Sequence, residues 1–416
     1  STRAILQSFI SSNKSDIYKC QSSDVDVYLT PPYACSYTKS AKNGGVPILA
    51  VATEQGTVHL VNTSRRKDWY PGPPQTTLQV HQNGIFDVKW NNDDTLLATG
   101  SGDQSTHITC VTKEIVTCAL RGHTSTVKCV TWDPSNTNLL STGGRDGTIC
   151  LWDLRVAGTK DEDGPNVLKP VISIPGAHED STWKVRRRGK KVPAPRSITS
   201  LLYPEIGNYG LVSSGSFDGV IKHWDLRLPT KRKGSVKPKP PANLFSSADD
   251  PTTLHGSRRP RAIVRLTPGT GLSSGLVFGL GADSRVHVYD AVSLNPLPMS
   301  YSHRNMQTNS FYVGLTLSHC GRWLATGSGA VGKSTQGSAF LYDVGNVTRQ
   351  TNPAYSQEGV QLIGQQGEVG AVDWADNMLA SCADDGTVRV WRPDVEIYRE
   401  CIRDPEKSRW DWSWHS

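Results

Sequence analysis

The sequence predicts an all-β chain folded as a seven-bladed β-propeller, and three observations predict it. Self-similarity recurs at about 40 to 45 residues, with Gly-His early and Trp-Asp late in each copy, the mark of a four-stranded blade. Within a copy, short alternating strands are separated by Asp-Pro and Asp-Gly turns, as antiparallel hairpins require. The turn aspartates keep the period: Asp103 and Asp146 stand 43 residues apart, Asp146 and Asp218 72, Asp218 and Asp283 65, and Asp283 and Asp385 102. The last gap holds one additional blade, and the two before it carry insertions.

Taken in order, blade 1 reads ILAVATEQGTVHLVNT from Ile48, and blade 2 reads HQNGIFDVKWNNDDTLLATGSGDQSTHITCV from His81. Blade 3 is the clearest copy, running from Gly122 to Arg155 as GHTSTVKCVTWDPSNTNLLSTGGRDGTICLWDLR. There Asp146-Gly147 supplies the hairpin turn, and the Asp146 carboxylate can accept from His123, which reaches Thr142 and the indole of Trp152. These side chains read as packing groups. Blade 4 opens at Ala177-His178 and closes in SFDGVIKHWDLR. Blades 5 and 6 are weaker, at GLVFGLGADSRVHVYDA from Gly275 and NSFYVGLTLSHCGRWLATGSGAVGKSTQGSAFLYDV from Asn309, while blade 7 spans Gln361 to Arg392. An early strand over Ile5 to Ile10 is expected to complete the last blade and remove an open sheet edge. The propeller is thus expected over 1–400, with flexible basic insertions at about 179–196 and 229–261 and a Trp-rich tail at 401–416. That tail places Trp410, Trp412 and Trp414 at period two and is expected to pack on a blade flank.

Charge separates loops from body. The net charge is +7, from 45 Lys and Arg against 38 Asp and Glu. Seven bases in Lys184–Arg196, five in Lys231–Lys239 and three in Arg258–Arg261, with no acid among them, account for more than the whole excess. A mildly acidic body with basic loops differs from a uniformly basic nucleic-acid binder. The loops read as a nuclear import signal, with an inert solvated loop as the second reading and DNA contact as the third. No apolar run approaches the roughly 18 to 20 residues that span a bilayer, so no membrane partner is expected. Nine cysteines, an odd number without a C-x-x-C pair, read as buried free thiols and neither as a disulfide scaffold nor as a zinc site.

Two catalytic patterns fail on context. Gly327–Ser334 reads GSGAVGKS, a match to the phosphate-cradling P-loop, but an alternating strand follows where a helix must. It is expected to be a hairpin insertion of blade 6. Gly271–Gly275 reads GLSSG without the strand-to-helix turn of a nucleophile elbow. No enzyme, no cofactor and no metal is expected.

The endings Trp152-Asp153 and Trp224-Asp225 resemble the WD-repeat proteins over nearly the whole chain. The finer resemblance is to the denticleless-type substrate receptors of cullin-four RING ubiquitin ligases. It rests on TPPYACSYT at Thr30, LAVATEQGTVHLVNT at Leu49, GIFDVKW at Gly84, TGGRDGTICLWDLR at Thr142, DGVIKHWDLR at Asp218, NSFYV at Asn309 and SCADDGTVRVWR at Ser381. Departures are Gln55 in place of a turn Asp, no closing Trp-Asp in blade 2, and the Gly-rich insertion in blade 6.

The resemblance implies docking on the triple-propeller adaptor of the ligase through Trp152, Asp153, Arg155, Trp224, Asp225 and Arg227. An Arg at the rim offers paired planar donors that Lys cannot; the bland reading is that Arg155 and Arg227 cap their own blades. It also implies recognition of degron peptides of replication proteins bound to the sliding clamp, in the nucleus, during the cell cycle, DNA replication and DNA damage. Propellers bind ligands on the loop face, which puts Glu54, Phe86, Arg145, Phe217, Glu368 and Asp384 there, with Glu54, Glu368 and Asp384 forming an acidic patch where blades 1 and 7 meet. A solvated acidic rim is the bland reading of that patch. The alternative function is a nuclear WD-repeat scaffold binding chromatin or histone peptides.

Overall fold

Seven short strands of mostly small and β-branched residues surround one axis: Pro32–Tyr37, Ile85–Trp90, Val127–Trp132, Ile198–Leu202, Ile263–Pro268, Leu315–Leu317 and Val369–Trp374. Each packs against the next, and Val369–Trp374 packs against Pro32–Tyr37, so the ring closes with seven sheets. The computed structural model describes residues 2–11, 13–66, 75–159, 164–179, 184–187, 190–193, 196–204, 210–227, 241, 243–254, 259–308, 310, 312–329, 336–347 and 357–404.

Each inner strand begins an antiparallel meander. In blade 3, Val127–Trp132 pairs with Leu139–Gly144, that with Ile149–Asp153, and that with Ile172–Ile174. The hydrophobic core is divided into wedges between neighbouring sheets. Ala98 and Ile108 of blade 2 meet Trp132 and Trp152 of blade 3, and Leu202 and Val212 of blade 4 meet Ile263 and Val277 of blade 5. Further wedges fill the other five junctions. Because every sheet buries both faces, its strands need apolar residues on both, and the middle strands Gly210–Gly215 and Leu276–Gly281 are buried throughout.

The expected polar staple of blade 3 is present. His123 meets Asp146 through Nδ1 at 3.2 Å and Thr142 Oγ1 through Nε2 at 2.7 Å, and the Trp152 indole N–H donates to the same Oγ1 at 2.9 Å. Burial works against a charged ring, but the hydrogen bonds to Asp146 and Cys150 prevail and raise His123 to about 9. Blade 4 repeats the motif with His178, Ser213 and Trp224. Burial, with the charge of Lys222 beside it, lowers His178 to about 3. In blade 7 Gln365 takes the histidine's place, accepting from Ser381, which in turn accepts from Trp391.

A second regularity lies in the register. In six blades the inner strand slips by one residue against its neighbour at its second position: Tyr33, Phe86, Lys128, Thr199, Val264 and Gly370. A bulge leaves its residue unpaired and re-aims the side chain. All six lie at the same end of their strands, so they ring one mouth of the axis. The faces are named from this mouth: the upper face bears the bulges and the turns between second and third strands, and the lower face bears the ends of the third strands.

Five expectations need correction. Residues 5–10 are not one strand: Arg3–Gln7 is a helix that buries Leu6, and ring closure falls to Phe9–Ile10 and Ile17–Lys19, both antiparallel to Thr387–Pro393. The stretch 229–261 is not all insertion, because Asn243–Ser246 is the outer strand of blade 4. The stretch 179–196 contains an antiparallel hairpin, Lys184–Arg187 with Lys190–Pro193. Cys320 is exposed and Cys110 and Cys118 are half-buried, against six buried thiols. The boundary drawn at 400 falls within a helix, Val395–Arg403, capped by the Asp394 side chain. Trp410, Trp412 and Trp414 lie outside the described residues, as do most of the basic runs.

Candidate functional site

The lower face carries two matching forks. Asp153 and Asp225 end the third strands of blades 3 and 4, and the chain turns so that the arginine two residues on folds back to its own aspartate. Arg155 donates through Nε at 2.9 Å and Nη2 at 2.8 Å to the two Asp153 oxygens, and its backbone N–H adds a third bond at 3.0 Å. Arg227 repeats this on Asp225, with Nε at 2.8 Å and a further bond from Nη2. The side chains remain 59% and 66% exposed. Hydrogen bonding to its arginine lowers each aspartate below the ordinary carboxylate range. The pairing is worth little for stability at such exposure, but it fixes the guanidinium plane. Trp152 and Trp224 do not join this surface. Both indoles are buried and their N–H groups are used within their own blades.

The upper mouth gathers aromatic rings and carboxylates. Tyr33 stacks on Phe86 with ring centroids 5.5 Å apart and tilts against Tyr312 at 5.2 Å. On Phe86 sits the Lys128 ammonium, 4.4 Å from the ring centroid. Gly370 has no side chain at the bulge of blade 7, and a Cβ there would stand 3.0 Å from the Tyr312 ring, so the glycine makes room for the tyrosine. Glu54, Glu368 and Asp384 complete the group. The Glu368 and Asp384 backbones bond each other at 3.0 Å, and Asp384 Oδ2 accepts the Glu368 N–H at 3.3 Å. Burial raises Glu368 and Asp384 above their ordinary values, and the charge of Asp384 on Glu368 and of Asp385 and Glu54 on Asp384 adds to it. Burial and hydrogen bonding to Glu54 raise Tyr33. Glu368 Oε1 is buried without a hydrogen-bond partner among the described residues. An acidic, partly desolvated mouth with such an acceptor suits a cation.

Of the six upper-face residues singled out from the sequence, the structure brings together Glu54, Glu368, Asp384 and Phe86. Arg145 is exposed on blade 3, where its charge joins burial in lowering Lys128. Phe217 belongs to blade 4, across the ring from blades 1 and 7, and is covered by the Arg196 guanidinium 3.8 Å from its centroid. Tyr33, Tyr312 and Lys128 were missed. The signal for Tyr33 and Lys128 was their shared place with Phe86, one residue into the inner strand. Ser273 of the GLSSG pattern is buried in a 3-10 turn and donates to the Thr270 carbonyl at 3.1 Å. In the P-loop-like segment residues 330–335 lie outside the described residues, and a strand, Gln336–Asp343, follows.

A ring of seven sheets of four or five strands, with the buried His-Ser/Thr-Trp staple in blades 3 and 4, defines a WD-repeat β-propeller. The model of the WD domain, G-beta repeat, matches at residues 72–109, 113–153, 190–225 and 357–392. The chain is 32% identical over 363 residues to cell division cycle protein cdt2 of Schizosaccharomyces pombe, covering 84% of this chain and 67% of that protein. It is 30% identical over 382 residues to denticleless protein homolog B of Xenopus laevis, covering 87% and 48%, and 26% identical over 386 residues to the Homo sapiens homologue, covering 87% and 46%. It belongs to the denticleless/Cdt2 family of WD-repeat proteins. It spans about half the length of the vertebrate relatives it matches.

Proposed function

We propose that this chain is the non-catalytic substrate-receptor propeller of a cullin-four RING ubiquitin ligase, with ubiquitin transfer carried out by other subunits. The observation that carries the reading is the pair of lower-face forks. Two adjacent blades present the same exposed, oriented guanidinium, which a single helix-capping or blade-capping arginine would not require. Arg155 and Arg227, oriented by Asp153 and Asp225, grip carboxylates and carbonyls of the triple-propeller adaptor. On the opposite face, Glu54, Glu368 and Asp384, walled by Tyr33, Phe86 and Tyr312, receive a basic residue of a degron peptide presented on the sliding clamp. The two faces divide the labour, one holding the ligase and the other the substrate. The basic insertions direct the chain to the nucleus, where replication and DNA-damage substrates reside. The acidic upper mouth also suits a basic histone peptide, which is the second reading.

The test is co-purification of the adaptor with Arg227→Ala and with Arg155→Ala/Arg227→Ala. Because both side chains are exposed, the melting temperature stays within about 1 °C of the parent, while adaptor recovery falls at least about tenfold on loss of charge-assisted bonds. Undiminished recovery with the double variant would refute the docking reading.

A further inference from the structure

The axial cavity has about 440 Å3 of space, and its charge is unbalanced. Its walls carry Lys39, Lys42, Lys89 and Arg265 against only two carboxylates, Asp87 and Asp373. Both carboxylates are already committed. Asp87 accepts from Arg265 at 2.5 Å and from the Val130 N–H at 2.9 Å. Asp373 accepts from Lys42 Nζ at 2.9 Å, the Thr316 hydroxyl at 2.9 Å and the Tyr37 N–H at 2.8 Å.

Two ammonium groups at the lower mouth make no side-chain hydrogen bond among the described residues. Lys89 stands 3.9 Å from Asp87, beyond hydrogen-bond reach. The Lys39 ammonium has no partner among the described residues, although the backbone N–H groups of Lys39 and Ser40 are anchored on Asp94 at 2.6 and 2.8 Å. That anchor holds the helix Lys39–Lys42 over the mouth. Burial lowers Lys89 despite the help of Asp87 and Asp373. Three lysines that share Asp373 and Asp87 with Arg265 are a local electrostatic cost that a further anion would relieve.

We propose that the lower half of this cavity is a binding site for a small phosphate-bearing molecule, held by Lys39 and Lys89 with Lys42 beside them. Two surplus positive charges match a phosphate dianion. Compact ammonium groups on flexible stems suit the several oxygens of a phosphate, whereas a single carboxylate would satisfy only one of them. The Asp87–Arg265 bridge crosses the axis above the site, so the ligand enters from the lower mouth, where Lys39 is exposed. The cavity is large enough for a phosphate with a small substituent.

The test is isothermal titration of the chain with inorganic phosphate and, separately, with glycerol 3-phosphate, against sodium chloride at matched ionic strength. Saturable binding of at least one probe is expected, tighter for the monoester if a metabolite is the ligand and tighter for inorganic phosphate if free phosphate is. Lys89→Gln and Lys39→Gln are each expected to weaken that binding at least about tenfold. The two positions are independent, so a folding defect in one variant leaves the other as the test. No heat beyond the chloride control, or binding unchanged in both variants, overturns the assignment.

Discussion

Replacing Arg265 with methionine removes the guanidinium that crosses the axis from blade 5 to blade 2. It leaves Asp87, whose side chain is 2% exposed, as a charge in the channel without its closest partner. Removing one member of a buried ion pair costs about 3 to 5 kcal/mol. Asp87 keeps the N–H groups of Val88 and Val130 at 3.1 and 2.9 Å and the Lys89 ammonium at 3.9 Å. The arginine side chain is itself 21% exposed, so water screens part of the interaction. Both facts move the expected loss to about 2 to 3 kcal/mol. The double variant Asp87→Leu/Arg265→Met removes both charges and fills the space with apolar atoms, so it is expected within about 1 kcal/mol of the parent. Urea denaturation of the parent, the two single variants and the double variant, followed by tryptophan fluorescence, gives the coupling, expected at about 2 kcal/mol. An Arg265→Met variant within about 0.5 kcal/mol of the parent, or a double variant as damaged as both singles together, would refute the claim that this pair ties the two blades.

Two further predictions follow from ionisation and charge. The folded-state value of His178, about 3, lies below its ordinary 6.5, so its contribution is present above pH 6.5 and is lost as pH falls toward 3; His123, at about 9, contributes fully below pH 6.5 and loses that contribution as pH rises through 9. His178→Gln, which copies the Gln365 arrangement of blade 7, is therefore expected to flatten the acid limb of a thermal-stability profile, where the histidine accounts for about 3 kcal/mol by pH 4; an unchanged limb contradicts this. Charge reversal at the upper mouth, Glu368→Lys with Asp384→Lys, is expected to weaken a basic degron peptide at least about tenfold by fluorescence anisotropy, and unchanged affinity would remove the acidic mouth from the binding site.

The blades were legible because their signals are local. A turn Asp, a Trp-Asp ending and a Gly-His opening each lie within one repeat, and even degenerate blades 5 and 6 kept the alternation. The fork residues were legible as a repeated motif, but that each arginine folds back on its own aspartate was not. What escaped depends on distance or on register. The wall of Tyr33 and Tyr312 is assembled from blades 1 and 6, and the bulge that turns Tyr33 toward the mouth shows in sequence only as a break in period two. Asp87 and Arg265 were visible as charges in apolar strands, but nothing local says that each answers the other across the ring. Trp152 and Trp224 were grouped with the docking arginines because the motif is contiguous, whereas the indole lies within the buried strand and the arginine in the turn beyond its end.

The strands that close blade 7 come from opposite ends of the chain, Phe9–Ile10 and Ile17–Lys19 against Thr387–Pro393. During translation the amino-terminal segment has no partner until residues near 393 leave the ribosome, a wait of about 20 to 80 s at 5 to 20 residues per second. Six sheets can form before the circle shuts, and the seventh is a latch set only once the strand Thr387–Pro393 has been made. A nascent chain halted before that point would carry an open arc with bare edges at both tips, a substrate for chaperones and a poor partner for anything that reads the finished ring.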